Sequence, residues 1–129
     1  MPGPLILLID DDETARDLFR FILKAEKYEV RTFARAEDAL DELASCTPAA
    51  VLLDLHLPLM DGLECLRRLR DYAADTPVAL LTADYFLDEY RANEFTMLGA
   101  EIHFKPIWEA DLLRIVRGLL ADQAAHGAH

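Results

Sequence analysis

The chain has 129 residues, 53% of them hydrophobic, which is enough for one compact domain with a sizeable core. Its 24 acidic and 13 basic side chains give a formal net charge of -11, which repels nucleic-acid phosphates and anionic lipid. The N-terminus lacks the basic region of a signal peptide, and the apolar run Leu5 to Ile9 is too short to span a membrane. We therefore expect a cytoplasmic protein that binds neither nucleic acid nor membrane directly.

Apolar runs of strand length alternate along the chain with segments of helical period. The predicted strands cover residues 5–9, 28–33, 51–53, 77–81 and 102–104, and a helical segment follows each of them. Five such units joined by right-handed crossovers give a parallel sheet covered on both faces. The predicted fold class is α/β, a doubly wound five-stranded parallel sheet of the flavodoxin-like (βα)5 type with strand order 2-1-3-4-5.

Two segments have weaker patterns than the rest. Residues 83–98 have the poorest helical pattern, although their length suits a helix, and Gly99 then breaks it. The tail 121–129 is small and polar, so we expect the core to occupy about residues 5–120 and the tail to fray. The prediction is one domain over residues 1–129. We expect no effector domain after Leu120, so that the domain either acts alone through protein contacts or is an excised fragment.

Polar side chains stand where four of the five predicted strands end. They are the run Asp10 to Glu13 after the first strand, Asp54 after the third, Thr82 after the fourth and Lys105 after the fifth. In the predicted strand order the first and third strands are neighbours, so Asp10, Asp11 and Asp54 converge at one edge. Three carboxylates at close range repel one another and call for a cation or a proton, and all-oxygen ligation suits Mg²⁺.

Each of these residues has a simpler explanation when it is taken alone. Asp12 or Glu13 favours the positive end of the first helix, and threonine suits a strand or a helix cap. A lysine is most often a solvated surface charge, and Asp61-Gly62 is a typical turn and helix start. An acid pair, a lone acid, a hydroxyl and a lysine at four strand ends of one sheet indicate shared chemistry.

Four stretches of the sequence resemble the receiver domain of two-component response regulators. They are residues 8–13, 52–63, 81–84 and 104–107. The stretch 52–63 is the most specific, because it joins Asp54 to His56, Pro58 and the Asp61-Gly62 pair at the family's spacing. The resemblance extends from Leu5 to about Leu120.

This resemblance implies a phosphoacceptor and a metal site. Asp54 would accept a phosphoryl group from a histidine kinase or a phosphotransfer protein. The side chains of Asp11 and Asp54 and the carbonyl of His56 would bind Mg²⁺, with Asp10 supporting the ion through water. The domain would not be an enzyme beyond catalysing its own phosphorylation and dephosphorylation.

The resemblance also implies how the signal would leave the site. The Thr82 hydroxyl would meet the phosphoryl group, Lys105 would contact its oxygens, and the Lys105-Pro106 peptide bond would be cis. The change would alter a surface that an unknown output protein, or a second copy in a homodimer, could bind.

The chain departs from the family pattern near its fifth strand. The spacing from Gly99 to Lys105 is one residue shorter than usual, and Ile102 stands where an aromatic switch residue is common. The stretch from Thr82 to Gly99 is longer than usual and rich in aromatic residues, Tyr85 among them. We therefore predict that phosphorylation is read out mainly through residues 83–98.

Two other functions fit parts of the pattern. A Mg²⁺-dependent phosphatase of the haloacid-dehalogenase type also uses an aspartate nucleophile, but it needs a second acid two residues later, where this chain has His56. A receiver-like interaction module that is never phosphorylated is the other alternative. The complete set Asp11, Asp54, Thr82 and Lys105 argues against it.

Overall fold

The computed structural model describes residues 3–57 and 59–127, with side chains as far as residue 122. Its strands are β1 (Leu5–Ile9), β2 (Glu29–Phe33), β3 (Ala50–Asp54), β4 (Val78–Thr82) and β5 (Ala100–Phe104). They form one sheet in the order β2-β1-β3-β4-β5, and every neighbouring pair is parallel. The predicted fold class and strand order are confirmed.

The helices cover both faces of the sheet. They are α1 (Glu13–Ala25), α2 (Ala36–Leu43), α3 (Gly62–Tyr72), α4 (Glu89–Met97) and α5 (Glu109–Gly127). Helices α1 and α5 pack on one face, and α2, α3 and α4 pack on the other. Strands β3 and β4 are buried along their whole length, which explains why they are almost continuously apolar. No helix in the described part of the chain is both long enough and apolar enough to cross a membrane.

The turn between β3 and α3 depends on Asp61 and Gly62. The Asp61 carboxylate caps α3 by accepting a hydrogen bond from the Glu64 amide at 2.9 Å. The Gly62 amide donates to the Leu55 carbonyl at 2.8 Å, and a Cβ at position 62 would lie 2.9 Å from Leu55 backbone atoms. Only glycine allows this close approach, which fixes the loop beyond Asp54.

The helix predicted for residues 83–98 is shorter than expected, because α4 begins only at Glu89. The Thr82 hydroxyl accepts a hydrogen bond from the Asp84 amide at 2.9 Å, and the Asp84 carboxylate accepts one from the Phe86 amide at 3.0 Å. Such side-chain turns compete with helix formation. Asp88 then caps α4, and Gly99, with a φ of +82°, follows its C-terminal end.

The last helix is longer than predicted. The sequence predicts a fraying tail from residue 121, and in the structure α5 continues to Gly127. Three of the seven residues 121–127 are alanine, the strongest helix former, which favours continuation of the helix. Pro58 and positions 128 and 129 of the predicted tail lie outside the described residues.

Arg70 joins the ends of two helices at the edge of the sheet opposite the polar strand ends. Its guanidinium donates to the carbonyls of Leu98 at 2.7 Å, Ala73 at 3.0 Å and Thr76 at 2.7 Å. Burial lowers the pKa of Arg70, and the charge of Asp75 partly opposes this effect. The Arg70 side chain therefore donates hydrogen bonds to carbonyls beyond the C-terminal ends of α3 and α4, where the regular hydrogen bonding of the helices has ended.

Arg70→Ala is expected to lower the free energy of unfolding by about 2 kcal/mol, because three carbonyls lose a charged donor. Arg67→Ala is the matched control on the same helix. Arg67 pairs with Glu94 at 2.7 Å in an exposed position, and its loss should cost less than about 1 kcal/mol. Urea unfolding of both variants tests this difference, and equal losses would contradict the role given to Arg70.

Candidate functional site

Three carboxylates converge at the C-terminal edge of the sheet. Asp10 follows β1, Asp11 comes next, and Asp54 is the last residue of the neighbouring β3. One carboxylate oxygen from each of them lies within 4.8 Å of the other two. The predicted convergence of the acid pair with Asp54 is therefore present in the structure.

Lys105 brings a positive charge to the same cluster. Its ammonium nitrogen lies 3.4 Å from Asp10 Oδ2 and 3.5 Å from Asp54 Oδ2. The Lys105 amide donates to the Thr82 carbonyl at 2.7 Å, which holds the end of β5 against the end of β4. The Lys105-Pro106 peptide bond is cis, as the resemblance implied.

The carboxylates differ in how the protein holds them. Asp10 is 1% exposed, and its Oδ1 accepts from the Asp12 amide at 2.9 Å while its Oδ2 faces Lys105. Asp54 is 8% exposed, and its Oδ1 accepts from the His56 amide at 3.1 Å. Asp11 is exposed. Both oxygens of Asp10 are thus engaged by protein groups, whereas Asp11 presents its carboxylate to solvent.

Thr82 and His56 flank this cluster in different ways. Thr82 is fully buried at the end of β4, and its hydroxyl is tied to the Asp84 amide. The His56 side chain is 65% exposed, and its Nε2 lies 3.8 Å from Asp84 Oδ2. The side chain of His56 therefore points toward the β4–α4 loop, while its backbone supports Asp54.

The environment of Asp54 disfavours its charged form. Burial raises the pKa of Asp54 to about 6, and the negative charge of Asp10 acts in the same direction. The Lys105 ammonium and the hydrogen bond from the His56 amide oppose this increase without cancelling it. A bound cation would compensate the repulsion that these acids suffer in its absence.

Comparison with known proteins identifies the family. Residues 6–117 match the family described as the response regulator receiver domain. The chain belongs to this family. Over 116 residues it is 38% identical to the response regulator MprA of Mycolicibacterium vanbaalenii, covering 89% of this chain and 49% of that protein.

Solved structures agree with this assignment. A CheY-like receiver domain protein from Methanospirillum hungatei superposes with a TM-score of 0.89 at 26% identity, covering 96% of this chain and 98% of that one. The chemotaxis protein CheY4 of Vibrio cholerae gives 0.83 at 25% identity, covering 92% and 99%. The receiver domain spans about half the length of the curated relatives it matches.

Arg16 also lies at the site of the receiver domain, although the sequence motifs did not predict it. Its guanidinium donates to the Asp10 carbonyl at 2.7 Å and so fixes the backbone that carries the acid pair. Asp12 caps α1, which places Arg16 one turn into the helix and facing back toward the strand end. The cap and this spacing are the signal that could have predicted the contact.

The raised pKa of Asp54 makes the stability of the metal-free receiver domain depend on pH. The protonated form stabilises the fold below the unfolded pKa of 3.8, and this stability is lost as the pH rises through about 6. In chelator, Asp54→Asn should therefore be more stable than the wild type at about pH 7 by about 2 kcal/mol. Its advantage should shrink toward about pH 4. Urea unfolding at both pH values measures it, and an advantage that is the same at both would contradict the burial of a charged Asp54.

Proposed function

We propose that the receiver domain accepts one phosphoryl group on Asp54 and passes the signal to a partner through a change of surface. The observation that carries this proposal is the position of the Asp54 carboxylate. A carboxylate oxygen of Asp54 lies within 4.8 Å of oxygens of Asp10 and Asp11, and its Oδ2 lies 3.5 Å from the Lys105 ammonium. A nucleophile that is close both to an acid pair able to bind a cation and to a positively charged side chain is the arrangement that phosphoryl transfer needs.

The transfer follows from the two oxygens of Asp54. Oδ1 is held by the His56 amide, while Oδ2 faces the Lys105 ammonium. Attack of the Asp54 carboxylate on a phosphohistidine forms an oxygen–phosphorus bond as the phosphorus–nitrogen bond breaks, and the leaving imidazole nitrogen takes a proton from solvent water. Lys105 stabilises the charge that develops on the phosphoryl oxygens.

The donor set fits Mg²⁺. The cluster offers oxygen ligands only, few of them from the protein, and this leaves positions for water and phosphate. We assign Asp11, Asp54 and the His56 carbonyl as ligands. Asp10 supports them, since it is the most buried of the three acids, at 1% exposed. The ion, when bound, neutralises charge on the transferring phosphoryl group.

Thr82 is proposed as the hydroxyl that responds to phosphorylation. Thr82 is the last residue of β4, at the same edge of the sheet as Asp54. Asp54 pairs in register with Leu81, the residue before Thr82. A new dianion on Asp54 attracts this hydroxyl, and the β4–α4 loop is bonded to it through the Asp84 amide. A local change of charge thereby becomes a displacement of the loop.

The partners in this proposal are those of two-component signalling. A histidine kinase or a phosphotransfer protein supplies the phosphoryl group, and an output protein or a second copy of the domain reads the result. We propose that residues 1–129 form one receiver domain. We also propose that it acts in the cytoplasm, where kinases draw on ATP. Its net charge of -11 keeps it from binding nucleic acid directly.

Incubation with Mg²⁺ and acetyl phosphate separates this function from its alternatives. We expect stoichiometric phosphorylation followed by slow self-hydrolysis, without turnover of a phosphate ester such as p-nitrophenyl phosphate. Repeated turnover of that ester would favour the phosphatase. The family match does not favour it, and neither does His56, which stands where a general acid would be needed. Absence of any label would favour the interaction module.

A further inference from the structure

An aromatic pair joins the β4–α4 loop to the end of β5. The ring of Tyr85 stacks on Phe104 with centroids 5.7 Å apart and an interplanar angle of 17°. The Tyr85 hydroxyl donates to the Lys105 carbonyl. Tyr85 is 62% exposed and Phe104 is 47% exposed, so this contact lies on the surface and does not belong to the core.

Tyr85 is linked through hydrogen bonds to both Thr82 and Lys105, the two residues that would contact a phosphoryl group. Toward Thr82, the link runs through the Asp84 amide, which donates to the Thr82 hydroxyl at 2.9 Å. Toward Lys105, it runs through the carbonyl of the residue whose ammonium lies 3.5 Å from Asp54. One side chain therefore bridges the backbone segments next to the two phosphoryl contacts.

A movement of Thr82 toward Asp54 must disturb this bridge. If the Asp84 amide follows the hydroxyl, residues 83–85 move relative to Lys105. If the amide does not follow, its hydrogen bond breaks and the turn that positions Tyr85 is lost. In either case the stack on Phe104 and the bond to the Lys105 carbonyl are weakened.

We propose that the Tyr85–Phe104 pair is a latch that opposes phosphorylation and replaces the aromatic switch residue that Ile102 cannot supply. Ile102, in the middle of β5, is partly buried against the core and has no aromatic ring. The latch is a positioning device, since it acts through Thr82 and Lys105. This inference rests on the proposed function.

Thermodynamic linkage makes the latch measurable. A contact that is broken when a ligand binds lowers the affinity for that ligand, and its removal raises the affinity by the same factor. Beryllofluoride with Mg²⁺ serves as a stable phosphoryl mimic. Tyr85→Ala removes the stack and the hydrogen bond, whereas Tyr85→Phe removes the hydrogen bond alone. We expect Tyr85→Ala to bind the mimic about fivefold more tightly than the wild type and Tyr85→Phe to fall between the two.

The titration is followed by the fluorine resonance of the bound mimic, with Tyr90→Ala as the matched control. Tyr90 is 77% exposed on α4 and should leave the affinity unchanged. If the wild type bound the mimic and both Tyr85 variants bound it with equal or weaker affinity than the wild type, the latch would be overturned and the proposed function would stand. If the wild type itself bound no mimic, the proposed function would fail and the latch with it.

Discussion

Asp54→Asn should abolish phosphorylation by acetyl phosphate in the presence of Mg²⁺, while the wild type takes up one phosphoryl group per chain. The amide lacks the nucleophilic oxygen that Asp54 places 3.5 Å from the Lys105 ammonium. The variant should still fold, because the substitution also removes a charge that burial disfavours. Intact mass before and after incubation measures the effect.

Asp61→Asn is the matched control for this experiment. Asp61 belongs to the same loop, but its carboxylate caps α3 by accepting from the Glu64 amide at 2.9 Å, and asparagine caps helices equally well. We expect this control to be phosphorylated like the wild type. Phosphorylation retained in Asp54→Asn, or lost in both variants, would defeat the assignment of Asp54.

Asp11→Ala should weaken Mg²⁺ binding by at least about tenfold, because it would remove one of the proposed charged ligands. Asp11 is exposed and lies among other acids, so the free energy of unfolding without metal should change by less than about 0.5 kcal/mol. Calorimetric titration with Mg²⁺ and urea unfolding in chelator measure the two quantities.

Asp12→Ala should show the opposite pattern. The Asp12 carboxylate accepts from the amides of Thr14 at 3.0 Å and Ala15 at 3.4 Å, so its loss should cost about 1 kcal/mol of stability. Its effect on Mg²⁺ affinity should be small. If Asp11→Ala instead lowered stability markedly and left the affinity unchanged, the acid run would be a structural cap.

The architecture and the main site could be predicted because their signals are local. The buried strands β3 and β4 are apolar along their length, and parallel strands bring their C-terminal ends to one edge. Asp10, Asp54, Thr82 and Lys105 could therefore be placed together from their positions after strands. The position of Gly62 at a helix start could be predicted for a similar reason, since the pair Asp61-Gly62 is typical of a turn followed by a helix.

The remaining features depend on contacts between residues that are distant in the sequence. The stack of Tyr85 on Phe104 and the bonds from Arg70 to the carbonyls near α4 have no local pattern. The late start of α4 follows from competing side-chain turns at Thr82 and Asp84, which helical periodicity does not detect. The raised pKa of Asp54 requires its burial and the nearby charge of Asp10, both set by the folded chain.

The most direct test of the central claim is to locate the phosphoryl group within the chain. Borohydride reduction of the phosphorylated wild type converts an aspartyl phosphate to homoserine, and peptide fragmentation then identifies the modified position. We predict modification at Asp54 alone, and only when Mg²⁺ is present. Modification at Asp10, Asp11 or another acid, or a label at Asp54 that forms equally well in chelator, would contradict the account.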